Sequence, residues 1–315
     1  MGGQGPIMIA VLLSTHNGAK FLSELFESIL LQTRKDFTIF VRDDSSSDST
    51  RQIIQDLCKS NENIFYIRDN LGRLGPKDSF HILLSTALAD RRFEYFAFCD
   101  QDDIWFEQKL ERAVASIGKR NDPTLYFSNF IIGENLSARA QFFKAPLKVG
   151  FGNALVENVA IGATQVLNRQ ASEIVACLNW DNAIMHDSFC YSVISACGVI
   201  LSDDLPNMMY RTHDNNFYPR KWRRFRNLAN LRKIRLDSYF KQAQSIFAQS
   251  YKIPISENNL EFLQFFLNIS NSPLAARMRI IKLNLFWRQK WYETYLIKTV
   301  MIFFPNRKLS KINDI

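Results

Sequence analysis

The sequence predicts an α/β fold, a mostly parallel sheet flanked by helices, and three observations predict it. Short apolar runs alternate with apolar residues at helical spacing from residue 9 to residue 117. The runs end in polar clusters, Ser14-Thr15-His16-Asn17, Asp43-Asp44 and Asp100-Gln101-Asp102-Asp103. At 47% hydrophobic content over 315 residues, the chain can bury a sizeable core or two domains.

The elements follow in order. Ile9 to Ser14 is an apolar strand, turned by His16-Asn17-Gly18. Phe21, Leu25, Ile29 and Leu30 mark a helix. Phe37 to Val41 is a second strand, and Asp48 or Ser49 caps a helix carrying Ile53, Ile54 and Leu57. Ile64 to Ile67 is a third strand. After the loop 71–76, Phe80, Leu83, Leu84 and Leu88 mark the next helix. Tyr95 to Cys99 is a fourth strand, and Ile104 to Ile117 reads as a helix capped by Asp102 or Asp103. Further on, Leu125 to Ile132, Ala163 to Leu167 and Val199 to Leu201 read as strands and Ser188 to Cys197 as a helix. From Pro219 the pattern is helical and basic. This β-α rhythm gives a parallel sheet with helices on both faces, whose ligands bind beyond the carboxyl ends of the strands.

Composition narrows the chemistry. Five cysteines, odd in number and without a CxxC pair, argue against a disulfide framework and for a reducing compartment. The first residues carry neither a basic start nor an apolar run, so no signal peptide is expected. No stretch of 18 apolar residues suits a bilayer span. Residues 1–215 hold 20 Lys and Arg against 26 Asp and Glu, a balance of −6. Residues 216–315 hold 19 against 5, a balance of +14. The acidic part suits a metal-dependent site, and the basic part an anionic surface.

The stretch from Phe96 to Asp103 carries the most chemistry. Alternation along a strand places Asp100 and Asp102 on one face. Paired carboxylates repel, and a hard divalent ion that bridges nucleotide phosphates is a fitting counter-charge.

Six motifs in order then carry a resemblance. They are Val11 to Gly18, Ser28 to Thr33, Arg42 to Thr50, Asp100 to Trp105, Met185-His186-Asp187 and Tyr210 to Asn216. Together they resemble bacterial family 2 glycosyltransferases, nearest the rhamnosyltransferase-like branch of cell-surface polysaccharide assembly. The resemblance covers residues 8–217. It implies a GT-A (Rossmann-like) fold, an inverting mechanism, a dTDP- or UDP-sugar donor, and Mg²⁺ or Mn²⁺. It also implies a glycan or polyprenyl-diphosphate-linked acceptor. Ser14, Asn17, Asp43 and Asp44 match positions that hold the base and ribose. Turn formation and capping also suit Asp43 and Asp44, and account for Asp48 outright. Asp100 and Asp102 match the family's DxD motif, Asp102 as metal ligand and Asp100 as ribose or second metal contact. Asp103 has a second reading as a helix N-cap. Asp187 matches the catalytic base, although it also suits a helix N-cap. His186, where the family usually has Glu, is either a tuner of that base or a packed histidine. His213 matches a histidine that completes the metal shell in some relatives. Arg211 or a nearby basic residue is expected to meet the diphosphate, since a guanidinium pairs well with phosphate oxygens. In the last motif Asp214 stands where Gly is common, and the signature of processive relatives is absent, which points to a non-processive enzyme.

The expected organisation is a nucleotide-sugar-binding catalytic domain over 8–217 and a helical, basic and aromatic region over 218–315. In that region Trp222, Phe225 and Leu228 form one stripe. Ile280, Leu283, Trp287 and Trp291 form another, with Arg279, Lys282, Arg288 and Lys290 nearby. Such helices suit an anionic membrane surface or the core of a helical subdomain. The expected location is cytoplasmic, at the inner face of the cell membrane. A nucleic-acid-binding reading is disfavoured because the charge is confined to the tail and no known motif appears, so no nucleic acid is expected. A sugar nucleotidyltransferase would need a Gly-rich phosphate loop where His16-Asn17-Gly18 stands.

Overall fold

The computed structural model describes residues 8–133, 140–141, 146–212 and 236–303. Its first half is β1 (Met8–Thr15), α1 (Ala19–Leu30), β2 (Phe37–Asp43), α2 (Thr50–Ser60), β3 (Ile64–Ile67), α3 (Pro76–Leu88) and β4 (Phe93–Asp100). There follow β5 (Ile104–Trp105), α4 (Lys109–Ile117), β6 (Thr124–Gly133), β7 (Ala140–Gln141), α5 (Phe151–Ala154), β8 (Val166–Asn168), α6 (Arg169–Ala176), α7 (His186–Cys197) and β9 (Val199–Arg211). Four helices close the described chain: α8 (Leu236–Ala248), α9 (Glu257–Leu267), α10 (Leu274–Lys282) and α11 (Trp291–Phe303).

Among the described residues the strands form one nine-stranded sheet in the order β3-β2-β1-β4-β8-β6-β9-β5, with β7 on β6. The expected parallel arrangement holds for β3-β2-β1-β4. Beyond β4 the pairing is mixed, because β8 runs antiparallel to both β4 and β6 while β9 runs parallel to β6.

Alternation sorts the core into two layers. Ala10, Leu12, Phe96 and Phe98 face the side covered by α3, α6, α7 and the C-terminal helices. Ile9, Val11, Leu13, Ala97 and Cys99 face α1, α2 and α4. Burying each phenylalanine contributes about 1.5–3 kcal/mol, more than a typical hydrogen bond, so these layers fix the strand register. In that register Ser14 lies between Arg42 and Asp100, and all three stand on the α7 side by parity.

Three expectations change. The helix expected from Ile104 begins at Lys109, because Ile104 and Trp105 pair with Met209 and Met208 of β9. The strand expected at Ala163 begins at Val166, after a 3₁₀ turn at Gly162–Thr164. β9 runs ten residues past its expected end, to Arg211; its half-buried Asp203, its exposed Asp204 and Leu205 and its Pro206 break the apolar pattern. Pairing with β6 holds it through a register shift at Asn129.

The division expected at 217/218 lies outside the described residues. Leu236, Phe240, Ala243 and Ile246 of α8 share a core with α7 and the sheet. The buried Gln242 amide donates to Ser192 Oγ at 2.9 Å and accepts from the Ile184 amide at 2.9 Å, so α8 holds the loop that leads into α7. The stripe expected from Ile280 to Trp291 is not one face. Ile280 is buried, and Trp287 sends its indole N–H to the Lys148 carbonyl at 2.9 Å. Leu283 and Trp291 are exposed. The stripe of Trp222, Phe225 and Leu228 lies outside the described residues.

Candidate active site

Three strand ends meet at one rim. Gln101 clasps the first to the third: its amide oxygen accepts from His16 N–H at 2.8 Å, and its Nε2 donates to His16 O at 3.1 Å. Gly18 permits this, since a Cβ there would overlap the Gln101 amide. His16 Nδ1 donates to the Asp44 carbonyl at 2.8 Å, joining the second strand end. Asn17, at φ +50°, accepts from Ser47 N–H at 2.8 Å and donates its own N–H to Ser46 Oγ at 2.8 Å. Asparagine tolerates that left-handed backbone.

The two aspartates of the second strand end are engaged within the protein. Asp43 accepts from Ser46 N–H at 3.0 Å and from Arg51 Nε at 2.7 Å, and bonds the Ser46 hydroxyl. This is the turn-forming arrangement weighed above. Asp44 is buried; its carboxylate accepts from Arg42 Nη1, Leu74 N–H and Gly75 N–H, each at 2.7 Å. Burial alone would raise the Asp44 carboxyl, but the Leu74 amide, Arg42 and the Gly75 amide together hold it below its usual value. In this arrangement Asp44 shapes the loop at 74–75. Asp48 accepts from Thr50 N–H at 3.0 Å and Ala19 N–H at 3.2 Å, bonding the starts of two helices.

At the third strand end, β4 stops at Asp100, and Gln101 and Asp102 form a turn. Strand alternation therefore does not set the direction of Asp102. The charges still meet: burial, then Asp102 and Asp187, push the Asp100 carboxyl up to about 7, with Lys109 opposing. Asp103 is no helix cap. It is buried, its Oδ1 accepts from Arg211 N–H at 3.4 Å, and its Oδ2 meets no partner among the described residues. Burial, Asp102 and Asp100 raise it well above the usual carboxylate range. Lys109 lies buried under this cluster, donating to Ala163 O at 2.7 Å over the Trp105 ring. Burial lowers its ammonium to about 8, against Cys99, Asp103 and Asp100.

Asp187 lies in the first turn of α7. Its carboxylate accepts from Ser188 N–H at 2.6 Å and Gly162 N–H at 3.2 Å. Burial raises it to about 6, although these donors and Asn158 pull the other way. His186 packs between Phe80 and Phe98, at ring distances of 4.0 and 5.0 Å. Burial lowers its imidazole to about 3, so it is a neutral core ring at ordinary pH. A Cβ on Gly162 would overlap His186 Nε2. Gly162→Ala is therefore expected to cost about 1–3 kcal/mol by overpacking. It should also lower turnover by displacing the Gly162 amide from Asp187. Denaturant unfolding and a transfer assay check both effects.

The structure thus sets Ser14 beside Asp100 in the strand register, and Asp102 and Asp187 near enough to act on the Asp100 carboxyl. Arg211 is turned to the other side, ion-paired with Glu24 and 5.1 Å above the Phe21 ring. His213 lies outside the described residues. Sequence reasoning missed Gln101, Gly162 and Lys109, which carry no local signal. Arg42, a charge at the end of an apolar strand, carried one.

The donor set suits a divalent cation. Asp100 and Asp102 offer hard oxygens, and their mutual repulsion calls for positive charge. Among the described residues no three His, Cys, Asp or Glu side chains form a cage by themselves. Mg²⁺ is commonly held by one or two carboxylates together with substrate phosphates.

Residues 10–173 match the family model described as glycosyl transferase family 2. The chain belongs to glycosyl transferase family 2. This family 2 enzyme is 28% identical over 215 residues to the dTDP-rhamnosyl transferase RfbG of Shigella flexneri, covering 65% of this chain and 72% of that protein. It is 31% identical over 163 residues to an Escherichia coli protein, covering 51% of this chain and 60% of that one. That relative is the UDP-Glc:alpha-D-GlcNAc-diphosphoundecaprenol beta-1,3-glucosyltransferase WfgD. Solved structures share the fold. TarS 1–349 of S. aureus in complex with UDP-GlcNAc superposes with a TM-score of 0.56 at 14% identity, over 94% of this chain and 82% of that one. The mannosyltransferase PcManGT of Pyrobaculum calidifontis, with GDP-Man and Mn²⁺, gives 0.54 at 16%, over 93% and 84%. The glycosyltransferase fold is therefore GT-A. Among the described residues no helix is long and apolar enough to cross a membrane.

Proposed function

We propose that this glycosyltransferase moves a sugar, rhamnose first among the candidates, from a dTDP- or UDP-linked donor to a hydroxyl of a glycan or polyprenyl-diphosphate-linked acceptor, with inversion. The observation that supports this is that Asp187 and Asp102 both lie close enough to Asp100 to raise its carboxyl. The names of the two relatives support the donor and acceptor classes.

In this reading residues 8–217 form the catalytic domain and 218–315 a helical region that serves acceptor or membrane. Ser14, Asn17 and Asp43 line the nucleotide end, with Asp44 holding the loop behind them. Asp187 takes the proton of the acceptor hydroxyl while that oxygen bonds to the anomeric carbon. The bond from that carbon to the donor phosphate breaks, and the nucleoside diphosphate leaves with its electron pair. Asp100 and Asp102, joined by His213, would hold Mg²⁺ or Mn²⁺, which when bound stabilises negative charge on the diphosphate. The enzyme works on the cytoplasmic side, peripherally at the inner face of the cell membrane.

A thermal-shift screen of nucleotide sugars tests the reading. With Mn²⁺ present, dTDP-rhamnose or a UDP-sugar should raise the unfolding midpoint by several degrees, at about 2–4 °C per kcal/mol of binding linkage. Absence of any donor-specific shift would sink it. Transfer with the donor's anomeric configuration kept would overturn inversion alone.

A further inference from the structure

The α10–α11 hairpin completes its inward packing and still presents a second apolar face. Ile280, Ile297, Met301 and Ile302 are buried in the core. Arg277 Nη1 donates to Ile302 O at 2.7 Å, and Lys298 bonds Asn284 Oδ1, so the two helices are tied together. Outward, Leu274, Met278 and Ile281 recur at helical spacing on α10, each about half exposed. On α11, Trp291 is 81% and Tyr295 70% exposed, with Tyr292 and Phe303 exposed as well. Leu283, between the helices, is also exposed. Scattered exposed apolar residues are ordinary, but eight on one hairpin are not.

Charge says what covers them. Residues 274–303 contain six Lys and Arg and one acid, Glu293. Glu293 is already paired, with Arg288 at 3.5 Å and Lys290 at 3.3 Å. Arg279 and Lys282 are exposed on the same helix as the aliphatic row. Tryptophan and tyrosine favour the headgroup level of a bilayer, and basic residues favour anionic lipid.

We propose that the exposed aromatic and aliphatic residues of the α10–α11 hairpin, with Arg279 and Lys282, dock the protein on an anionic lipid bilayer. The purpose of the docking rests on the lipid-linked acceptor proposed above, but the docking itself is read from this surface alone. Trp291, Tyr292 and Tyr295 enter the headgroup region, while Arg279 and Lys282 meet lipid phosphates.

The test is flotation of the full chain with phosphatidylcholine vesicles, with and without phosphatidylglycerol. Wild type should float with the anionic vesicles, and added salt should weaken this. The variant Trp291→Ser/Tyr295→Ser should lose roughly tenfold in bound fraction, as should Arg279→Gln/Lys282→Gln. Both alter exposed side chains, so circular dichroism and the donor-induced thermal shift should match wild type. Failure of wild type to float, or equal flotation by both variants, overturns the docking. So does a change of oligomeric state in the Trp291 variant with no change in flotation, which would assign the face to a second copy. Donor shift without flotation removes the docking alone, and flotation without donor shift removes the glycosyl-transfer reading alone.

Discussion

Asp102→Ala is expected to lower turnover about 10³-fold, equivalent to about 4 kcal/mol of barrier, and to abolish stabilisation of the protein by Mn²⁺. The sign of the pH effect follows from the folded site. Folding raises the Asp100 carboxyl from 3.8 to about 7, through burial and the charges of Asp102 and Asp187. Its contribution to stability is therefore present below its unfolded value and lost as pH rises through 7. A divalent cation needs the ionised carboxylates and relieves their repulsion. Mn²⁺ should thus raise the wild-type unfolding midpoint by several degrees at about pH 8 and scarcely at about pH 5. In Asp102→Ala the Mn²⁺-induced shift should vanish at both. A wild-type shift independent of pH, or one that survives the substitution, would place the cation elsewhere.

Asp187→Asn is expected to lower turnover by about 10²–10⁴-fold while donor affinity stays within about twofold, because a base on the acceptor side does not hold the donor. Wild-type kcat/KM should rise with pH through an apparent value near 6, where the Asp187 carboxyl ionises, and the variant should lack that limb. Stability should move the other way. Burial lifts this carboxyl from 3.8 to about 6, so its ionised form weighs against the fold above that pH. The asparagine variant should therefore be more stable than wild type at about pH 8, with the gain gone below about pH 4. Stability and activity changing in opposite directions would separate a lost base from a damaged fold. Unaltered turnover by Asp187→Asn would remove the assignment.

Strand and helix positions in the first hundred residues were legible because each strand is an apolar run with a polar end, and each helix keeps its 3.6-residue spacing. The acidic end at Asp100–Asp103 and the isolated Asp187 were visible as residue types in order. The role of Asp103 was not, because the amide it bonds, that of Arg211, comes from a strand distant in sequence. Nor was the shared fate of His186 and Gly162, whose contact depends on α7 lying across β4.

By itself the sequence determined the α/β rhythm, the places where carboxylates gather and the basic excess of the last hundred residues. Only the tertiary structure decided which carboxylates act on one another, and which apolar residues of the C-terminal helices face inward. The physical reason is that periodicity is local, set by backbone geometry over a few residues. Charge interaction and burial depend on neighbours brought together across the chain, as Asp187 is to Asp100 and Ile280 to the core.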